Sequence, residues 1–335
     1  MNSIRYILKK TIDLNEDDLT QLKTLTKEIY DEKKDVREGI INFNENKFIE
    51  KLLHFYTKNI LGYSFHSLAY KNNTIIGHIA FTPFQYSYFG KEITIALAAN
   101  AMIQKKERNF VHFKKIFENA FNNLKINNFP FALIFPNDNA YLLYKKLFGF
   151  IDLGELKYYI LPVKIANIIK INNLWNYFSI FLCKLLNIKL FNLNFIIRNK
   201  DFNIQKLHDE NFYDYRYSKI MGDYITHSEE KYFYSYIIKE FNSTVTLFLI
   251  DIVPLSKKNM QEVIRTLYKK HKDSIDIIIY IGSLNFHPLN LIKVPKKFEP
   301  KTEHSVGIIL DYNIVDDRIY NIKNWNLNLS NFDII

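Results

Sequence analysis

The sequence predicts an α/β (α+β) chain built as two consecutive units, and three observations predict it. The first 160 residues alternate between strand-like and helix-like periodicity. The back part of that order returns at low fidelity in the second half, as an internal duplication would. The chain has 335 residues, 48% hydrophobic and 24% charged, which is globular composition with length for two ordinary domains.

Each element has its own signal. Ser3–Leu8 reads as a strand, and Glu16–Tyr30 and Asn46–Tyr56 as helices. SFHSLAYKNNTIIGHIAFTPF reads as a hairpin with Asn72-Asn73 at its turn. EITIALAANAMI (92–103) is a continuous apolar run that suits a buried strand. Over Asn109–Lys125, Phe110, Phe113, Ile116, Phe117, Ala120 and Leu124 share one helical face. PFALIF (130–135) is a short buried strand. FPNDNAYLLYKKLFGF (135–150) then predicts a helix that Asn137 or Asp138 opens and Gly149 ends, with Ala140, Leu143 and Leu147 inward. Ile151–Pro162 closes the unit.

Residues 163–200 read as a basic, mostly helical connector, and 201–335 as the second unit. There, Lys231–Lys239 and Thr244–Val253 form a second hairpin, followed by a helix at Lys257–Lys270 and a strand at Ser274–Ile281. A last strand, VGIILDY (306–312), precedes the tail NWNLNLSNFDII.

The single cysteine, Cys183, excludes an internal disulfide framework and fits a reducing compartment. The N-terminus lacks the apolar core of a signal peptide, and no uncharged apolar stretch reaches the ~20 residues that span a bilayer, so the expected location is the cytoplasm. Net charge is +10. From Leu156 to Lys200 there is no acidic residue, while Lys157, Lys164, Lys170, Lys184, Lys189, Arg198 and Lys200 fall there. Three readings fit: a solvated connector, a basic amphipathic surface on anionic lipid, or a nucleic-acid track. The thin spread of charge argues against nucleic acid. The nine histidines show no His-x-x-x-His or Cys partner, so no metal is expected, and no Gly-x-x-x-x-Gly-Lys loop or dinucleotide fingerprint occurs.

Two stretches carry a resemblance. The join between AANAMI and the helix near Asn109 is the first. The second is Asn137, Ala140, Tyr144, Gly149 and Phe150, which resembles the last helical motif of the GCN5-related N-acetyltransferase (GNAT) superfamily, Asn-x-x-Ala-x-x-x-Tyr-x-x-x-Gly-Phe. IIGH (75–78) resembles the Val-Gly step of its central hairpin. The resemblance covers residues 1–162 and implies two tandem GNAT-like domains, each a mixed, mostly antiparallel twisted sheet flanked by helices. FPN and NWNLNLSNFD further resemble a two-domain bacterial subgroup associated with surface-polysaccharide biosynthesis.

The resemblance implies acetyl-CoA (or another acyl-CoA) as co-substrate, its pantetheine arm paired with the backbone of Ala101, Met102 and Ile103. The pyrophosphate would lie at Arg108, Asn109, Phe110, Val111 and His112, with Asn137 in the same cofactor-binding set. Unpaired amides and the positive end of a helix favour an anion there. This loop departs from the family's pattern, because both glycines are missing. Asn109 stands where tolerance of left-handed backbone would help, and Arg108, Lys105 and Lys106 bring charge.

Tyr144 would protonate the leaving thiolate, and Asn100 would orient the acceptor, since an amide cannot take its proton. Glu107, His112, Asp251 or a water relay are the candidates for base. Asp251, Tyr213, Arg216 and Tyr217 are candidate acceptor contacts. The second half has neither glycine loop nor Tyr-x-x-x-Gly-Phe, which implies a non-catalytic unit. The expected activity is N-acyl transfer to a small-molecule amine, a nucleotide-linked amino sugar first, with peripheral membrane contact through 163–200. Two alternatives stand beside it: an aminoacyl-tRNA-dependent transferase, and a non-catalytic scaffold.

Overall fold

A computed structural model describes residues 4–33, 46–186, 202–241 and 243–332. In chain order the first half is β1 (Ile4–Lys10), α1 (Glu16–Lys33), α2 (Phe48–Thr57), β2 (Phe65–Lys71), β3 (Thr74–Tyr88), β4 (Lys91–Ile103), α3 (Phe110–Ile126), β5 (Phe131–Ile134), α4 (Asp138–Phe148) and β6 (Ile151–Pro162). Then come α5 (Ile165–Ile169), α6 (Leu174–Leu186), β7 (Ile204–Lys206), α7 (Glu210–Tyr217), β8 (Ile225–Ser228), β9 (Phe233–Phe241), β10 (Thr244–Val253), α8 (Lys257–His271) and β11 (Ile277–Gly282). The short strands β12 (Ile292–Lys293) and β14 (Trp325–Asn326) flank β13 (Glu303–Ile309).

All strands join one mixed sheet, ordered β1-β2-β3-β4-β5-β13-β6-β11-β10-β9-β8, with β12, β7 and β14 off this path. The period of two sorts each strand between two layers. Phe65 and Ala69 of β2, with Ile79 and Phe81 of β3, pack with Ile116, Phe117, Ala120 and Leu124 of α3. Leu68 and Ala80 go to the other face, into a cluster with Leu22, Leu25 and Ile29 of α1 and Leu52 and Tyr56 of α2. Gly77 serves the first layer: a Cβ there would lie 2.7 Å from Ile116 Cδ1, so the helix can approach only a bare backbone. The second half has its own core, where Met260, Val263, Ile264 and Leu267 of α8 pack with Leu247, Leu249, Ile278 and Tyr280.

The expected elements are present within a few residues, and three details differ. In α4 the buried residue is Tyr144, whereas Leu143 is exposed; the inward face is turned by one position from the expected one. The strand VGIILDY is displaced to Glu303–Ile309, and it closes the first unit: it pairs antiparallel with β5 (Gly307↔Leu133) on one side and β6 on the other. β6 in turn pairs with β11, so it belongs to both halves. The connector is helical over α5 and α6, and its remainder, 187–200, lies outside the described residues.

Candidate functional site

β4 and β5 run parallel and are paired only at Ala96↔Ala132 and Leu97↔Leu133. Beyond that point β5 ends at Ile134, while β4 continues to Ile103 with β3 alone beside it. The two strands therefore part, and one edge of β4 is left open. A bulge sharpens the opening. Ala80 pairs with Ala99 and His78 with Met102, so Asn100 and Ala101 together oppose one residue of β3. Asn100 takes φ +52, the left-handed region that asparagine enters most readily after glycine. Its side-chain amide donates to Tyr56 Oη at 2.6 Å, and both Asn100 and Ala101 are exposed. These are properties of an added-strand site: a fixed, bulged edge with no strand beside it past Leu97.

The loop that follows is held by ion pairs. Arg108 bonds Glu32 of α1 at 2.6 Å, and its Nε donates to the Ile103 carbonyl at 3.0 Å. Lys71 bonds Glu107 at 2.7 Å and holds that carboxyl below its ordinary pKa. Asn109 caps α3 with extended backbone, φ −149, rather than the left-handed conformation expected of it. Its Oδ1 accepts from the His112 amide at 2.9 Å. The amides of Phe110 and Val111, without intrahelical partners by position, stay at the helix start. Val111 is 52% exposed and does not fill the gap between the strands. His112 turns its Nδ1 to Tyr6 Oη at 2.6 Å. Lys105 and Lys106 are exposed.

On the α3 side, Tyr144 is only 2% exposed and sits among Phe113, Phe117, Phe148 and Phe150. It shares one buried cluster with Ile103 and Ile134, which flank the opening. Burial pushes its phenol well above the ordinary tyrosine pKa, so it stays protonated. Asn137 spends its side chain on capping α4, accepting from the Ala140 amide at 3.0 Å. Gly149 ends the helix at φ +69.

On the α1–α2 side lies a pair that sequence reasoning missed. His66 Nδ1 and His78 Nε2 are 3.0 Å apart, and His66 Nε2 is 2.9 Å from Thr11 Oγ1; which nitrogen donates depends on the tautomer. His78 Nδ1 is buried, turned toward the backbone of Asn100, and has no hydrogen bond of good geometry. Burial keeps both rings neutral, pushing His78 down to about 3. A simple two-residue hairpin would put these histidines on opposite faces. A register shift between Ala69 and Tyr70 leaves one extra residue in β3 and brings both to the same face. Nothing in the local sequence marks that shift.

The second half repeats the geometry and then closes it. β10 and β11 are parallel and paired up to Leu249↔Tyr280, and β10 bulges between Leu249 and Asp251. The chain's own tail enters the opening beyond. Asn328 bridges to Gly282, and its side chain donates to Asp251 Oδ1 at 2.9 Å. Asp251 also receives His208 Nε2 at 2.9 Å and Tyr217 Oη at 3.0 Å, with Lys206 Nζ at 3.9 Å. These contacts hold its carboxyl far below the ordinary range, and only 1% of it is exposed. Asp251, Tyr217 and Arg216 are therefore internal framework, closed to an outside acceptor; Tyr213 is partly buried beside Phe233. From Asn328 the tail runs on to Phe332, whose ring stacks on Phe135 at 4.5 Å, just past the end of β5.

Among the described residues no group of three or more His, Cys, Asp or Glu is placed to hold a metal ion.

Comparison with known proteins gives no match to any family model and none to a curated protein. Solved structures do match. A protein from Enterococcus faecalis described as a probable N-acyltransferase aligns at 12% identity over 92% of this chain and 73% of its own, with a TM-score of 0.57. A GCN5-related N-acetyltransferase from Anabaena variabilis aligns at 11% identity, 92% and 74% coverage and a TM-score of 0.56. One from Kribbella flavida gives 11%, 93%, 72% and 0.57. With its parted β4 and β5, its bulge at Asn100 and its Gly149-ended α4, this chain has the fold of the GCN5-related N-acetyltransferases.

Proposed function

We propose that this protein is an acyl-CoA-dependent N-acyltransferase, transferring an acetyl group directly from thioester to a small-molecule amine. The observation that carries the reading is the open, bulged edge of β4 at Asn100 and Ala101, beside β5 and the free start of α3. The pantetheine amides would add to that edge through Ala101, Met102 and Ile103, and the pyrophosphate would meet the Phe110 and Val111 amides. Arg108 would have to leave the Ile103 carbonyl to let that strand-like pairing form.

In the transfer, the neutral amine forms a bond to the thioester carbon, and the carbon–sulfur bond then breaks. The N–H of Met102 or Ile103 would steady the oxyanion. Tyr144, kept protonated by burial, gives its proton to the departing thiolate. Of the four candidate bases, Glu107 is tied to Lys71 and Asp251 is enclosed, while His112 is held by Tyr6. This leaves water or, in our reading, His78 Nδ1, whose neighbour His66 can pass the proton toward Thr11. A nucleotide-linked amino sugar of a surface-glycan pathway is the first acceptor to offer.

A second reading, a scaffold without activity, is favoured by the contact of Arg108 with Ile103 and by the glycine-free, ion-paired loop. A thermal melt with and without acetyl-CoA separates the two. Ligand at 100 times its dissociation constant adds about 2.7 kcal/mol, and free thiol should appear once the right amine is present. A melt that acetyl-CoA does not move would leave the scaffold.

A further inference from the structure

Away from the site, α6 keeps a face that none of the described residues covers. Its inner side is fastened down. Ser179 Oγ donates to the Val163 carbonyl at 2.7 Å, Cys183 Sγ to the Pro162 carbonyl at 3.3 Å, and Tyr268 of α8 donates to the Ile180 carbonyl at 3.3 Å. The Ala166 amide of α5 donates to Asn176 Oδ1 at 2.7 Å. The outer side is apolar from end to end. Leu174, Phe178, Phe181, Leu182 and Leu185 recur at the spacing of one helical face, all exposed, Phe181 to 57%. Trp175 (52%) and Tyr177 (75%) stand beside that line. Single exposed apolar residues are ordinary, but a continuous row on one helix is not.

We propose that this face lies on an anionic bilayer surface, with α6 in the plane of the headgroups. Charge selects the occupant. No acidic residue occurs from Leu156 to Lys200, where seven basic ones do. Asp276, which reaches α5 from the bend before β11, is enclosed, accepting from Asn167 at 2.7 Å and from the Val245 amide at 2.7 Å. A second copy seated on the same face would set two such basic segments against each other. A negative lipid surface meets them with opposite charge while the row of Phe and Leu enters the acyl boundary. Trp and Tyr suit that boundary, having an apolar ring and one polar group. The helix, Leu174–Leu186, is too short to span, and no described helix is long and apolar enough to do so.

The test uses the whole chain and vesicles of phosphatidylcholine, alone or mixed with phosphatidylglycerol. One of the two tryptophans, Trp325, is enclosed, so a blue shift in emission on adding vesicles reports Trp175. The expected result is flotation with the phosphatidylglycerol vesicles, weakened by salt. A Phe178→Ser, Phe181→Ser double variant should lower partitioning by roughly tenfold or more with an unchanged melting temperature, since both sites are exposed. Trp175→Phe should abolish the shift and keep most of the binding. Flotation that the double variant leaves intact would overturn the proposal, as would no flotation of the native chain. A concentration-dependent dimer dispersed by the same two substitutions, without flotation, would assign the face to a second copy instead.

Discussion

Burial does different work at Tyr144 and at the His66–His78 pair. For a phenol, loss of water raises the pKa and preserves the proton; for an imidazole it lowers the pKa and keeps the ring neutral. A protonated phenol and two neutral imidazoles are thereby fixed on opposite faces of one sheet, with the open edge of β4 between them. The Tyr144→Phe variant removes only a hydroxyl from an aromatic cluster, so stability should change by less than about 1 kcal/mol. We expect the acetyl-CoA shift in melting temperature to persist and turnover to fall by about tenfold or more; an unaltered rate removes Tyr144 from the mechanism. The histidines give a prediction about pH. Their folded pKa values lie below the unfolded value of about 6.5, so the unfolded chain binds more protons once the pH drops below that value. Stability is full above about 6.5 and declines toward the folded value, near 3 for His78, with a slope of up to about 1.4 kcal/mol per pH unit for each group. Between about pH 6.5 and 4.5 most carboxylates are still ionised, so urea denaturation there isolates the histidines. His78→Gln should flatten the slope; a slope that stays the same assigns it elsewhere.

At the scale of the element, β13 matters most, because it fills the space between β5 and β6. Its Gly307 lies against Phe131, and a Cβ there would stand 2.0 Å from the ring. Phe131 is fully buried and cannot move aside, whereas at Gly77 the obstruction is only the end of an isoleucine side chain. We expect Gly307→Ala to cost roughly 1–3 kcal/mol, and Gly77→Ala less. Urea denaturation of both variants checks the order, and equal costs would mean that the β5–β13 contact yields easily. These strands also show what a sequence can and cannot disclose. The apolar run 92–103, the Asn72-Asn73 turn and the cap residues Asn137 and Gly149 act locally, so their elements could be read directly. The partner of β13 lies some 170 positions back along the chain, and no local pattern encodes it. The candidate site was half legible for the same reason. Tyr144 and the β4 segment follow from a resemblance, carried by Asn137, Ala140, Gly149 and Phe150 for the one and by the run AANAMI for the other. The bulges at Asn100 and before Tyr70 depend on pairing, so the His66–His78 pair and the left-handed Asn100 did not.

For the whole molecule, the shared strands make the two halves one folding unit. β6 is paired to both β13 and β11, and the tail that fills the second opening stacks Phe332 on Phe135 of the first. Trp325 ties the halves from inside: it is fully buried, its Nε1 donates to the Ile319 carbonyl at 2.6 Å, and its ring meets Tyr86 and Phe131. Residues 1–162 alone would present the β5 edge and one side of β6 to water, with Phe131 lacking its cover. Unpaired central strands of this kind cost burial and invite association. We therefore expect the full chain to melt in a single transition, the 1–162 fragment to give no dispersed amide spectrum, and removal of 325–335 to abolish folding of both halves at once. That deletion takes away Asn328, which leaves the enclosed Asp251 short of a donor as well as opening the second groove. Co-expressing 1–162 with 163–335 should restore the native circular dichroism, since every lost pairing is then available again. A well-dispersed spectrum from 1–162 by itself would show that β13 decorates a unit able to close without it.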